Sequence, residues 1–548
     1  MSVERIAAQL RTAQSREAPA APGAEPAMHY LIRLHQNGNK EGLRTAIQNL
    51  LPEIAFGLRA LDSQGPLAHT YRLSLPGVRA EDLVASPFDL EAALEGLALI
   101  DRAEAELDPP IFLEGEQTGT GPGVESEGAF GGGGPTPADR AWALRTTGVN
   151  AQAAWQAFNT EGSGVCIGQI DTGVVLEHIE LRDALDLAKA FDIIDADDDP
   201  TDDLSGRFPF ANPGHGTATG SVVISRGRLT EPVPGELSGT ADGGVVGSAP
   251  GARLVPFRAI RSVIRLQQGN VAAAIHRAID AGCHIITMSL GGVPQTDLAE
   301  AIDRAEQESL LCLAAAGNVF EEVVYPARYG NCLAVAATNV EQKPWAGSAH
   351  GHTVNVSAPG ERVWRAVPDR SELGLDVDGG NGTSFAVALT AGVAALWLAR
   401  HGRDHLLNLA AQRGISLQRL FMQTVMASAR RPEPWDERQY GAGIVDAHRL
   451  LDWPLDDGQE APRPEVPVLI ASANAASARD DDLLTMPPAL QPYTRELFWL
   501  RATRFLRTRA IQNSMTEAPA RAPVPLSASL QSTLQVFPDL RAEVEALP

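Results

Sequence analysis

Apolar positions follow two different rhythms along this chain. Between residues 139 and 453 they cluster in short runs: Val165–Ile170, Leu254–Phe257, His284–Met288, Leu311–Ala315 and Leu333–Ala337. Helix-spaced segments such as Val271–Ala281 separate most of the runs. Runs that are apolar throughout, not alternating, are the mark of strands covered on both faces. The expected fold class is therefore α/β, a mostly parallel sheet flanked by helices. Sites in such sheets gather at the carboxyl ends of the strands. Residues 27–109 read differently. Tyr30–Leu34 and Tyr71–Leu75 are expected strands, while Glu41–Leu51 and Pro87–Leu97 carry helical spacing. This is a small α+β domain.

The remaining stretches lack such periodicity. Residues 1–26 are rich in Ala and Pro and read as disordered. Residues 110–138 include Gly131–Gly134 with scattered Pro and Thr, and form a linker. Residues 454–548 form an Ala/Pro-rich extension. One helix is expected there, near 493–513, carrying Phe498, Leu500, Phe505 and Leu506 with five arginines. It is expected to dock on the acidic domain at 139–453.

Candidate chemistry sits at the ends of the runs. Gly379-Gly380-Asn381-Gly382-Thr383-Ser384 leads into an Ala/Val/Leu-rich helix. Such a turn can be a simple cap. It can equally present Ser384 beside the positive end of a helix, where an oxyanion is stabilised. Ile170-Asp171-Thr172-Gly173 ends a strand run in an acid, and Gly214-His215-Gly216-Thr217 places a histidine between glycines. The order Asp, His, Ser is the subtilisin order of a serine triad. With these motifs the chain resembles the subtilases, the subtilisin-like serine peptidases, over roughly residues 139–453.

The resemblance implies further roles. Ser289-Leu290-Gly291 is similar to the family's substrate-binding strand, which pairs with an extended peptide. Ala315-Ala316-Gly317-Asn318 is similar to its oxyanion segment, with Asn318 as the donor. Tyr325-Pro326 is similar to its pocket wall, and Ala315 and Gly317 join that pocket. Ser384 would be the nucleophile, His215 its base and Asp171 the group orienting the imidazole. The module at 27–109 is similar to a propeptide, and the linker after it is a plausible cleavage zone. The activity implied is that of a serine endopeptidase acting on protein or peptide substrates. A peptide ligase or cyclase on the same fold is the alternative, as is an inactive peptidase fold serving as a scaffold. Two positions depart from the family: Phe385 stands for its methionine and Ala388 for its proline. An apolar P1 pocket is expected, although Glu321 or Glu322 at its floor would select Arg or Lys.

Charge and composition narrow the partners. The chain has 548 residues and a formal net charge of −23, which argues against nucleic acid and anionic membrane surfaces. No run of 18 consecutive apolar residues suggests a membrane span. Residues 1–26 have no apolar core of a secretory signal. Cys166, Cys283 and Cys312 lie in apolar runs and read as buried thiols. A cytoplasmic location is the expectation. No organic cofactor is expected. Residues 192–203 hold seven aspartates, and Asp195, Asp197 and Asp199 alternate as calcium ligands do. A structural calcium site is expected there, with Glu180 and the turn 241–244 as a weaker second candidate.

Overall fold

A computed structural model describes residues 3–15, 27–62, 65–78, 83, 85–106, 136–204, 212–227, 244–265, 268–318, 322–367, 377–455, 489–500, 526–537, 541 and 544. The region 139–453 is built on a seven-stranded sheet. Its order across the sheet is Val356–Pro359, Leu333–Thr338, Leu311–Ala315, Ile285–Met288, Cys166–Asp171, Arg253–Arg258, Phe191–Asp192. Every neighbouring pair is parallel. The apolar runs of the sequence are these strands, and they are buried on both faces. The strand Cys166–Asp171 lies between Arg253–Arg258 and Ile285–Met288. The chain winds outward to one side of it and then returns to the other. A crevice forms where the winding direction reverses, at the carboxyl ends.

One face of the sheet carries the helices His215–Ile224 and Thr383–His401. The second is apolar all round and buried from Thr383 to Leu398. Among the described residues it alone is long and apolar enough to cross a membrane, but 89% of its window is buried inside the protein. It is a core helix. The other face carries Gly269–Asp280 and Thr296–Gln307 with their own apolar cluster. All four cysteines, Cys332 included, are free and buried.

The N-terminal domain has a four-stranded antiparallel sheet, ordered Gly57–Ala60, Thr70–Pro76, Ala27–Leu34, Ile100–Glu106. Helices Lys40–Leu50 and Pro87–Glu95 pack on it. Its start differs from expectation. Val3–Gln14 is a helix, and Ile6, Leu10 and Ala13 bury one stripe of it in the domain's core. The Ala-rich composition hid an i, i+4, i+7 pattern.

This domain sits on two helices that lack side-chain caps of their own. The residues preceding Gly269 and Thr296 make no side-chain cap bond. Glu106 accepts from Gly269 N at 3.3 Å. Glu104 accepts from Thr296 N at 3.3 Å and Thr296 Oγ1 at 2.5 Å. Carboxylates at helix N-termini satisfy orphan N–H groups and meet the positive end of the dipole. Arg33 and Arg102 then hold Asp297, each at 2.5 Å.

The C-terminal extension binds this junction. The described residues show a helix over 494–500 and a second, Ala528–Val536, that the sequence reading missed. Residues 501–513 of the expected helix lie outside the described residues. Arg495 donates to Glu91 Oε1 at 3.0 Å and to Ala105 O at 3.1 Å. Trp499 and Leu500 enter the N-terminal core, and Phe498 meets Tyr325 of the catalytic domain with ring centroids 5.9 Å apart. The extension thus docks chiefly on the N-terminal domain, not on the acidic catalytic surface as expected.

Candidate active site

Asp171 closes its strand, and His215 opens its helix. Gly214, ahead of the histidine, takes a left-handed φ of 77°. A Cβ at Gly216 would meet Gly173 O at 2.1 Å, so only glycine lets the helix approach the aspartate turn. His215 Nδ1 lies 2.7 Å from Asp171 Oδ1. Thr172 N donates to the same oxygen at 2.7 Å, and Thr219 Oγ1 lies 3.1 Å from Oδ2. Both Asp171 and His215 are buried.

Asp202 fixes the turn from below. Its Oδ2 accepts from Thr172 Oγ1 at 2.7 Å and from Gly214 N at 2.7 Å. Burial pushes its carboxyl above the ordinary range, against the bonds it accepts from Thr172, Leu204 and Gly214. The aspartate strand and the histidine helix therefore share one buried acid.

Ser384 is the second residue of the neighbouring helix Thr383–His401. A cleft in front of it is lined by Ser289, Leu290, Gly291, Ala315, Gly317 and Asn318, and closed by Val263, Val324 and Thr383. Asn318 Oδ1 accepts from Thr383 N at 2.8 Å and from Thr383 Oγ1 at 2.7 Å. Those two donors fix which end of the amide is oxygen. The Nδ2 donor is left for the cleft, beside Ser384. Ser289 Oγ donates to Ser384 O at 3.1 Å. Phe385 is buried under Gly380, with the Arg365 guanidinium 5.9 Å from its ring, and Ala388 continues the helix.

Several expectations need correction. Tyr325 does not line the cleft. Its ring is buried against Tyr329 and Phe498, and its backbone pairs with Gly292. The wall is Val324, one residue earlier, because alternate residues of an extended segment face opposite sides. Glu322 is absent from the lining, and Glu321 lies outside the described residues. Gly291, expected to pair with a peptide, donates its N–H to Val263 O at 2.9 Å, and Gly291–Gly292 pairs in parallel with Ile264–Arg265. A peptide adding to this edge must displace that strand.

The acidic loop does not fit a calcium ion. Asp195 is held by Arg258 at 2.7 Å, and Arg258 also engages Asp192 and, at 3.0 Å, Asp203. Asp197 Oδ1 accepts from Asp199 N at 3.0 Å, and Asp199 Oδ1 accepts from Thr201 N at 3.1 Å. Among the described residues no group of three His, Cys, Asp or Glu is arranged to hold a metal. The alternating aspartates pointed to a cation, but the arginine of the adjacent strand supplies positive charge there. Glu180, the weaker candidate, accepts from Ser225 Oγ at 2.5 Å; residues 241–243 of its partner turn lie outside the described residues.

Residues missed in the sequence include Gln169, Thr219, Asp202, Val263, Val324 and Thr383. A signal existed for two of them. Gln169 is a polar residue in an apolar strand, two before Asp171 and so on its face. Thr219 stands four after His215, one helical turn along.

Similarity to known proteins bears on the family and the fold. The family model described as Peptidase S8, subtilase family, matches residues 162–443, a little over half of the chain. Thermitase of Thermoactinomyces vulgaris is 31% identical over 272 residues, which is 49% of this chain and 87% of thermitase. Subtilisin DY of Bacillus licheniformis is 29% identical over 252 residues, covering 45% of this chain and 81% of that protein. A crystal structure of fervidolysin from Fervidobacterium pennivorans, a keratinolytic enzyme related to subtilisin, superposes with a TM-score of 0.53. It is 19% identical, covers 80% of this chain and 63% of its own, and speaks to the fold alone. The chain belongs to the subtilase family and is a subtilisin-like serine endopeptidase.

Proposed function

We propose that the endopeptidase reaction runs through Ser384, His215 and Asp171. The observation that carries this reading is the buried 2.7 Å pair of His215 and Asp171 behind a cleft lined by Ser384 and Asn318. A serine hydroxyl needs a base to attack a carbonyl. His215 takes the proton of Ser384 and returns it to the leaving amine. Asp171 holds the Nδ1 tautomer and stabilises the imidazolium. The Asn318 amide and the Ser384 N–H receive the charge that develops on the carbonyl oxygen. The P1 side chain is apolar, a reading supported by Leu290, Ala315, Val263 and Val324 around the cleft.

The N-terminal domain is a propeptide that restrains this site. Its last described strand ends at Glu106 on Gly269 N, a few residues beyond the strand Ile264–Arg265 that flanks the cleft. The C-terminal extension keeps it seated through Arg495 and Phe498.

A fluorophosphonate probe tests the chemistry. It should label Ser384 and fail on Ser384→Ala and His215→Ala. Absence of label in the folded, processed wild type would overturn the triad. Intact masses of wild type and Ser384→Ala test self-processing: cleavage between residues 106 and 139 is expected in the first alone.

A further inference from the structure

A second layer of hydrogen bonds lies beneath Asp171. Gln169 Nε2 is 2.8 Å from Gly216 O and 2.8 Å from Thr219 Oγ1. An amide nitrogen carries two protons, and both are thereby directed. Thr219 Oγ1 receives one of them and has a single proton of its own to give. Three acceptors lie within reach: Asp171 Oδ2 and His215 O at 3.1 Å, and Gly216 O at 3.5 Å. Gly216 O is farthest and already engaged by Gln169. His215 O is the neutral carbonyl one turn back, the usual partner of a helical threonine. Asp171 Oδ2 is a carboxylate oxygen, and a charged acceptor makes the stronger bond.

We propose that Thr219, directed by Gln169, is a positioning residue that fixes the carboxylate of Asp171 toward His215. The inference rests on the triad reading above. Asp171 Oδ1 is held by His215 Nδ1 and Thr172 N, and Oδ2 by Thr219. Held at both oxygens, the carboxylate plane cannot turn away from the imidazole. Gln169, Thr219 and Asp171 are all at most 2% exposed, so water does not stand in for a missing donor. His215 and Thr219 occupy one face of one helix. The base and the group that orients the base's partner therefore move as a unit.

The test uses the full, processed chain and three variants. Thr219→Val keeps the side-chain shape and removes the donor. Labelling of Ser384 by a fluorophosphonate should slow about 10- to 100-fold, since small misplacements of catalytic groups cost about that much. On a peptide substrate kcat should fall in parallel with KM unchanged. Thr219→Ser restores the hydroxyl and should return labelling to within about threefold of wild type, the cost of a lost methyl contact without a lost hydrogen bond. Gln169→Leu frees the threonine proton for other acceptors and should also slow labelling; it remains informative if Thr219→Val does not fold. Wild-type labelling rates in Thr219→Val or in Gln169→Leu overturn the proposal. So does a serine variant as slow as the valine, because the loss would then be packing. A wild type that never labels is a separate outcome: it removes the triad reading and this inference with it.

Discussion

Replacing Glu106 by Gln should release the N-terminal domain from the catalytic domain. Glu106 is fully buried, and burial alone would raise its carboxyl; the Arg72 guanidinium outweighs burial and holds it below the usual range. Arg72 Nε lies 2.6 Å from Oε2 and Nη2 lies 3.2 Å from Oε1, while Nη1 reaches Asn270 across the interface at 3.0 Å. Gln keeps the shape but removes the charge that the half-buried Arg72 guanidinium faces. Removing one partner of a buried pair costs about 3–5 kcal/mol. Arg72 and Glu106 share a domain, so part of this cost persists after undocking. Assigning about 2 kcal/mol to docking lowers the closed-to-open ratio about 30-fold. The assay is amide exchange read by mass spectrometry, in a Ser384→Ala background that prevents self-cleavage. Gly269 N bonds Glu106 directly and will exchange faster in any case. Thr296 N, bonded to Glu104 on the other helix, is the informative amide. If the domain undocks as one body, Thr296 accelerates by the same factor. Fast exchange at Gly269 with Thr296 unmoved would refute the reasoning, since Glu106 would then be only a local cap.

Other outcomes follow from the same contacts. Burial pushes Glu496 up to about 7 against the two bonds it accepts from Ser527, and pushes Glu91 up to about 7 against Arg495. An acid raised on docking contributes stability that is complete below its ordinary value and lost as pH rises through the raised one. Tail docking should therefore be tightest in mildly acidic buffer and weaken through pH 7, with Glu496→Gln flattening the profile; exchange in 494–500, corrected for intrinsic rate, checks this, and a tail that tightens from pH 6 to 8 contradicts it. Arg258 pairs with Asp192, Asp195 and Asp203 of the acidic loop, so chelator should leave the melting temperature unchanged while Arg258→Met lowers it; a melting point that climbs with millimolar calcium restores the metal. Val324→Asp places a carboxylate in the P1 wall and should shift cleavage from Leu or Phe toward Arg in a peptide library; an unchanged profile places P1 elsewhere. Asn318→Asp puts a negative charge where the oxyanion forms and should cut kcat with little change in KM.

The sequence by itself determined the sheet. Unbroken apolar runs such as Leu311–Ala315 could satisfy water nowhere and had to be covered on both faces, so periodicity gave their type, and nearly their bounds. It also singled out Asp171, His215 and Ser384, because each stands beside glycines in a local motif. Only tertiary structure decided what meets across elements. Arg258 neutralises aspartates far from it in the chain because its strand lies beside Phe191–Asp192. Val324 rather than Tyr325 faces the cleft because Gly292 sets the phase of that segment. Nothing local distinguishes Glu104 and Glu106 in the sequence, and they cap helices only through docking. The Gln169–Thr219–Asp171 chain falls between the two. Strand period 2 and helical spacing of four put each pair on a common face, but only the packing of helix on strand brought the hydroxyl to the carboxylate.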